Sequence, residues 1–258
     1  MVRIVSIGGS DSIGGAGIQA DVRTASLLHA YCATAVTCVT VQNSAGIISL
    51  NPLATDLVIA QLDAIFSDFI PDAIKVGLLP NSDMIAALHR YLTPYHDTIK
   101  IVLDPILAPT KGTNIVNNNH TDFFDNMREL SSLSYVTTPN LNELPLLETF
   151  KSKYVIIKGG HGNDNERCTD KIYQNVKDGN TLKEVADLVT RRIQTLNSHG
   201  TGCVYSTALA VGLADGLDIV KSAMLAQKVV TTALDEGKDR NFGSGYGPTL
   251  WHSIVIAE

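Results

Sequence analysis

The chain has 258 residues, 45% of them hydrophobic and 18% charged, with a formal net charge of −6. That balance belongs to a folded globular chain and excludes a disordered one, and the acidic excess argues against a broad basic face for nucleic acid. A phosphate ligand stays open, because backbone N–H groups at a helix start bind phosphate without positive net charge.

No run reaches the roughly 18 apolar residues of a membrane span, and the apolar stretch in MVRIVSIGGSD is too short for a secretory signal. The four cysteines (Cys32, Cys38, Cys168, Cys203) form no close CxxC pair. Free thiols in a reducing, cytoplasmic setting are therefore expected rather than a disulfide framework or a zinc site.

Along the chain, short β-branched runs alternate with amphipathic stretches. Strands are expected at Arg3–Ile7, Ala35–Val41, Ala73–Val76, Lys100–Leu103, Ser134–Thr137 and Tyr154–Lys158, apolar on consecutive positions as strands buried on both faces are. Helices are expected at Ile18–His29, Asp56–Phe69, Met84–Leu92 and Phe123–Leu130. This alternation predicts a largely parallel sheet covered on both sides. Lys171–Thr195 breaks the rhythm: Lys177-Asp178-Gly179-Asn180 is a turn between two strand-like runs, which gives a hairpin ending in a strand at Arg192–Thr195. Two helices, Thr201–Ala214 and Ile219–Leu234, close the chain. With no repeat and no linker, residues 1–258 read as one domain.

Five segments carry chemistry. In the first, Asn197–Leu209 (NSHGTGCVYSTAL), a glycine-rich turn runs straight into an alanine-rich helix. Gly200 and Gly202 let backbone N–H groups approach a ligand, and the helix dipole favours an anion there, such as a phosphoryl group in transfer. Cys203 in the first turn is expected to have a lowered pKa and to serve as a base. A small buried cysteine at an ordinary helix start is the plainer alternative.

The second segment, Gly8–Asp21, is a glycine-rich turn between a strand and a helix, where open α/β sheets bind ligands. Its Asp21 reads most simply as a solvent-facing acid. Third, Asp104 ends a buried strand. Fourth, Asn140 and Glu143 lie three apart on one helical turn, and such oxygen donors suit Mg²⁺; the same spacing also reads as an N-cap with its glutamate at N3. Fifth, Lys158-Gly159-Gly160 ends a strand, placing a cation where it meets phosphates or only caps the strand.

Taken together, GGAGIQAD (Gly14–Asp21), TVQN (Thr40–Asn43), IKVGLL (Ile74–Leu79), VLDP (Val102–Pro105), TPNLNE (Thr138–Glu143), IKGGH (Ile157–His161), HGTGC (His199–Cys203) and GYGP (Gly245–Pro248) resemble the hydroxymethylpyrimidine/phosphomethylpyrimidine kinases of thiamine biosynthesis. The resemblance runs almost end to end. It implies a three-layer α/β/α ribokinase-like fold and two phosphorylations of a pyrimidine hydroxymethyl group, using ATP and Mg²⁺, by what is often a homodimer. It also implies that Gln42 reads the pyrimidine edge and that Gly9 and Asp21 help hold the ring. Gly200, Thr201 and Gly202 would form the anion hole with Cys203 as base. Asp104 and Glu143 would serve the metal, and Asn140 and Lys158 the nucleotide.

Where the family reads DPSGGAG, Ser12 and Ile13 stand before Gly14, and the lysine of its AKSG loop appears displaced, as Lys111. Leu141–Lys153 leaves room for one short helix, and the loops at Pro109–Thr113 and Gly243–Gly247 are candidate lids. A vitamin B6 kinase (pyridoxal, pyridoxine or pyridoxamine) built on the same site, and a non-catalytic pyrimidine- or nucleotide-binding paralogue, are the alternatives.

Overall fold

The computed structural model describes residues 1–106, 120–143, 151–162, 164–176 and 181–249. These form one nine-stranded sheet with six α-helices. In chain order the elements are β1 Arg3–Asp11, α1 Gly17–Leu27, β2 Tyr31–Asn43, β3 Gly46–Pro52, α2 Thr55–Asp68, β4 Ala73–Val76, α3 Ser82–Leu92, β5 Lys100–Leu103, α4 His120–Ser132, β6 Val136–Thr137, β7 Tyr154–Ile157, β8 Arg167–Val176, β9 Thr181–Arg191, α5 Thr201–Ala214 and α6 Ile219–Gly237. The sheet order is β3-β2-β1-β4-β5-β6-β7-β8-β9. Strands β2, β1, β4, β5, β6 and β7 run parallel, while β3, β8 and β9 join antiparallel at the edges.

Alternation along the strands builds the layers. Val5, Ile7, Ile74, Val76, Ile101 and Leu103 face a core shared with α2, α3 and α4. Val102, Val136 and Ile156 face the opposite core, made with α5 and α6, and Ile4 and Ala73 pack beneath α1 and α5. This is the expected three-layer α/β/α arrangement, and within the described residues every expected strand and helix core is present except the strand at Arg192–Thr195. No helix among them is long and apolar enough to cross a membrane.

The structure departs from these expectations at two places. β3 was not foreseen; it pairs with β2 after the Asn43–Gly46 turn. The hairpin forms, but its second strand is Thr181–Arg191 and residues 192–195 leave the sheet. The Arg192 N–H makes the last cross-strand bond, to the Glu166 carbonyl at 2.8 Å, and its guanidinium donates to the Gly160 carbonyl at 2.7 Å. The segment Gly243–Gly247 is tied down: the Tyr246 N–H donates to the Ser44 carbonyl at 2.8 Å and the Gly245 N–H to the Ser44 hydroxyl at 3.2 Å. The turn at 177–180, the loop at 109–113 with Lys111, and the expected short helix after Glu143 lie outside the described residues.

Chain order runs from β1 outward to β2 and β3, then returns to β4 on the other side of β1. Such a reversal opens a crevice at the carboxyl ends of the strands. Burial makes the two faces unequal in sensitivity to mutation. Ile74, with no exposed surface, and Ile48, 65% exposed, test this: Ile74→Ala lowers unfolding free energy by about 2–5 kcal/mol in urea titration, and Ile48→Ala changes it by less than about 0.5 kcal/mol.

Candidate active site

A cavity of about 750 Å³ lies over this crevice, enough for two small ligands side by side. Its floor is the N-terminus of α5. Gly200 takes φ 89°, and no side chain caps the helix, so first-turn N–H groups, which lack intrahelical partners, face the cavity. Gly200 is required sterically as well: a Cβ there would collide with the Gly15 carbonyl, and a Cβ on Gly15 would collide with the His199 ring. Two glycine turns, one leading into α1 and one into α5, thus meet backbone to backbone.

Cys203, Gly200, Thr201 and Gly202 all line the cavity. The Gly17 backbone amide at the start of α1 favours the Cys203 anion. The thiol is nevertheless not acidified. Burial pushes its pKa up to about 11; Lys75 opposes this, while the nearby charges of Asp21 and Asp104 add to it. The expected dipole effect is thus outweighed, because a buried thiolate loses more hydration than the helix start returns.

Beneath the helix start lies a cluster of two acids and two lysines. Asp21 is fully buried and pairs with Lys75 Nζ at 2.8 Å, while also accepting from Ser6 and Thr207 hydroxyls. It is neither solvent-facing nor directed into the cavity, which corrects both the plain reading and its expected role in holding the ring. Its neighbour Lys75 does line the cavity. Burial alone would lower the Lys75 pKa, but Asp21, with Cys203 and Asp104 beyond it, holds it above the usual lysine range.

Asp104, 2% exposed, pairs with Lys158 Nζ at 2.7 Å and accepts from Thr138 and Ser206 hydroxyls at 3.2 Å. Burial raises its pKa, and Lys158 and Lys75 more than reverse that. Lys158 is held protonated by Asp104 and Glu143 against its own burial. A Cβ on Gly202 would lie 3.4 Å from both Asp104 Oδ2 and Lys158 Nζ, so this pair flanks the helix start.

Asn140 and Glu143 line the cavity but form the capping box that their spacing allowed. Asn140 Oδ1 accepts from the Asn142 N–H at 2.8 Å and the Glu143 N–H at 3.2 Å, and Glu143 Oε2 accepts from the Asn140 N–H at 2.7 Å. No cluster of three or more metal-ligating side chains gathers among the described residues.

At the opposite end, Gly9 and Gln42 line the cavity. A Cβ on Gly9 would sit 2.9 Å from Cys38 Sγ and 3.0 Å from Leu78, so the backbone itself forms the wall. Ser12, where the sequence departs from DPSGGAG, clamps Gln42: its hydroxyl donates to the Gln42 carbonyl at 2.9 Å and accepts from the Gln42 N–H at 3.0 Å. Sequence reasoning assigned no role to Lys75, Gly17, Asp11 or His199. A lysine inside the apolar run Ala73–Val76 was a readable signal, since lysine is almost never fully buried unless paired; the other three carried none.

Comparison with known proteins agrees with this geometry. The phosphomethylpyrimidine kinase pattern matches residues 11–250. The chain belongs to that family. A hydroxymethylpyrimidine/phosphomethylpyrimidine kinase from Rhizobium meliloti is 34% identical, covering 95% of this chain and 94% of its own length. The solved phosphomethylpyrimidine kinase of Clostridium difficile is 26% identical with a TM-score of 0.72, covering 91% of this chain and all of that one. Pyridoxal kinase from Staphylococcus aureus, solved with AMP-PCP and pyridoxal, is 26% identical with a TM-score of 0.77, covering 96% and 92%. The chain is thus a kinase of the ribokinase-like fold.

Two outcomes test the site. Lys75→Met leaves Asp21 buried and unpaired and costs about 3–5 kcal/mol of stability in denaturant titration, whereas the double variant Asp21→Asn/Lys75→Met costs less than Lys75→Met alone. Peptide-resolved alkylation with iodoacetamide modifies Cys203 slowly at pH 7, and its rate rises with each pH unit toward 10 as the thiolate forms; fast alkylation at pH 7 contradicts the raised pKa.

Proposed function

We propose that this kinase transfers the γ-phosphoryl group of ATP to the hydroxymethyl oxygen of 4-amino-5-hydroxymethyl-2-methylpyrimidine, and then phosphorylates the monophosphate again, as a thiamine-pathway enzyme. The observation that carries the reading is the position of Cys203 under the uncapped start of α5, between the Gln42 end of the cavity and the Asp104–Lys158 pair. The hydroxymethyl oxygen forms a bond to the γ-phosphorus, the β,γ-bridging bond breaks, and ADP leaves. N–H groups from Gly200 to Gly202 and the Lys158 ammonium stabilise the charge on the transferring group. The hydroxyl proton goes to the Cys203 thiolate. Only the minor thiolate form of Cys203 can take this proton, so the base becomes more available as pH rises toward its raised pKa.

Asp104 and Glu143 offer hard oxygen donors on either side of Lys158, each already engaged with protein. They fit a Mg²⁺ that arrives on nucleotide phosphates and is held largely through water rather than in a protein cage. Such an ion would neutralise phosphate charge. Asn140 acts in this reading by fixing the turn that carries Glu143. We further propose that the chain is a single domain and works in the cytoplasm as a homodimer.

A pyridoxal kinase activity is the second reading, favoured by the likeness to the S. aureus pyridoxal kinase. Product formation with Mg²⁺-ATP on hydroxymethylpyrimidine, its monophosphate and pyridoxal separates the two. Turnover of both pyrimidines with pyridoxal poor is expected; preference for pyridoxal overturns the proposal, and no turnover of any supports a binding protein. Cys203→Ala is expected to lower kcat by roughly 10²–10⁴-fold with KM within a few-fold, and wild-type kcat/KM to climb from pH 7 to 9. Parallel losses in kcat and binding would make Cys203 structural.

A further inference from the structure

The first turn of α5 has no cap of its own. A capping side chain at Gly200 would accept the N–H groups that an anion site needs, and Gly200 has none to offer. One turn further on, Ser206 donates to Asp104 at 3.2 Å and Thr207 donates to Asp21 at 2.7 Å, which anchors the body of the helix. The turn that carries Gly200–Gly202 has to be held from the residue before it, His199.

His199 is fixed at both backbone and side chain. Its N–H donates to the Gly247 carbonyl at 3.0 Å, and its own carbonyl accepts from the Thr249 N–H and hydroxyl, both at 2.9 Å. Its ring lies where a Cβ on Gly15 would stand. Nε2 meets Asp11 Oδ2 at 2.9 Å, while the Gln42 amide nitrogen comes only to 3.4 Å of the same atom. Asp11 is itself immobilised. It is 4% exposed, its Oδ1 accepts the Ile13 N–H at 2.9 Å and its Oδ2 accepts the Ala16 N–H at 2.7 Å. Burial alone would raise the Asp11 pKa, but donors led by His199 more than reverse this and hold it at about 2. At working pH it is a carboxylate with acceptor sites only, so His199 Nε2 carries the hydrogen between them.

We infer that Asp11 and His199 are positioning residues for group transfer: their bond latches the turn before α5 to the turn before α1 and aims the Gly200–Gly202 N–H groups at the transferring phosphoryl group. The inference rests on the anion-binding role proposed above for that helix start, and it does not depend on which ring is phosphorylated. A latch outside the helix leaves the first-turn N–H groups free, which a cap within it would not. Preorganised donors act only where charge develops, and a misplacement of about 1 Å can cost about 10²-fold in rate. Loosening the latch therefore falls on kcat rather than on KM.

The test is steady-state kinetics of the full chain with Mg²⁺-ATP and whichever ring wild type turns over, with active molecules counted from the stoichiometry of ADP binding in titration calorimetry. His199→Leu, which loses the bond to Asp11, is expected to lower kcat by about 10–100-fold with KM for both substrates within a few-fold. His199→Gln, whose amide can donate to Asp11, is expected to recover most of that loss. Asp11→Asn sets a donor against either His199 or a backbone N–H and is expected to lower kcat to a similar extent. The double variant Asp11→Asn/His199→Leu is expected to fall no further than the slower single variant, because both changes break one bond. A residue that only stabilised the fold would reduce the count of active molecules and leave kcat per active molecule unchanged. Wild-type kcat in His199→Leu, equal losses in kcat and in ring affinity, no recovery in His199→Gln, additive losses in the double variant, or no turnover of any ring by wild type overturns the inference. The two His199 variants decide it if Asp11→Asn does not fold. Preference for pyridoxal would overturn the pyrimidine reading and leave this inference standing, with the same variants measured on pyridoxal.

Discussion

The close approach of two glycine turns governs the architecture of the site. The turn before α5 can lie against the turn before α1 only because Gly200 has no side chain where its backbone meets the Gly15 carbonyl. That approach brings the first turn of α5 into the crevice and places the Gly17 backbone amide where it favours the Cys203 anion. It also carries His199 across to Asp11. A Cβ on Gly200 would push the start of α5 off the Gly15 turn, and a Cβ on Gly15 would displace the His199 ring. Gly200 is doubly constrained, since its φ of 89° lies where other residues are strained.

Electrostatics in this crevice are balanced rather than one-signed. Two carboxylates and two ammonium groups lie beneath the helix start, paired as Asp21–Lys75 and Asp104–Lys158. Buried charges persist only when paired and hydrogen-bonded, and here hydroxyls of Ser6, Thr207, Thr138 and Ser206 complete the shells. The arrangement puts a fixed cation on each side of Cys203 without giving the cavity a large net field. It also explains why the thiol is not acidified: the anions that hold the lysines in place oppose the lysines at Cys203. The net charge of −6 says nothing about this, because the relevant charges cancel locally.

The ends of the cavity differ in kind. One is walled by backbone and by a clamped amide, with Gly9, Ser12 and Gln42 fixed by short-range contacts. The other is built from the edge hairpin β8–β9 and α6, where Asp170 accepts from the Gly159 N–H and from Gln227. These two differently built ends meet at the start of α5.

Much of this was legible in the sequence. Strand and helix cores follow from hydrophobic period, and β4, β5 and α5 have the bounds that their residues dictate. The glycine-rich turn before an alanine-rich helix marked the start of α5, and the motif order carried the family. Residue type and spacing offered both metal donor and capping box for Asn140 and Glu143; the folded turn shows the capping box. What the sequence could not supply was partnership across long separations. Asp21 and Lys75 lie 54 residues apart, and Asp11 and His199 lie 188 apart. Only the folded chain decided that Asp21 faces inward and that burial outweighs the helix dipole at Cys203. The physical reason is that local pattern is set by period and propensity, whereas desolvation and pairing depend on which distant groups the packing brings to the same few ångströms.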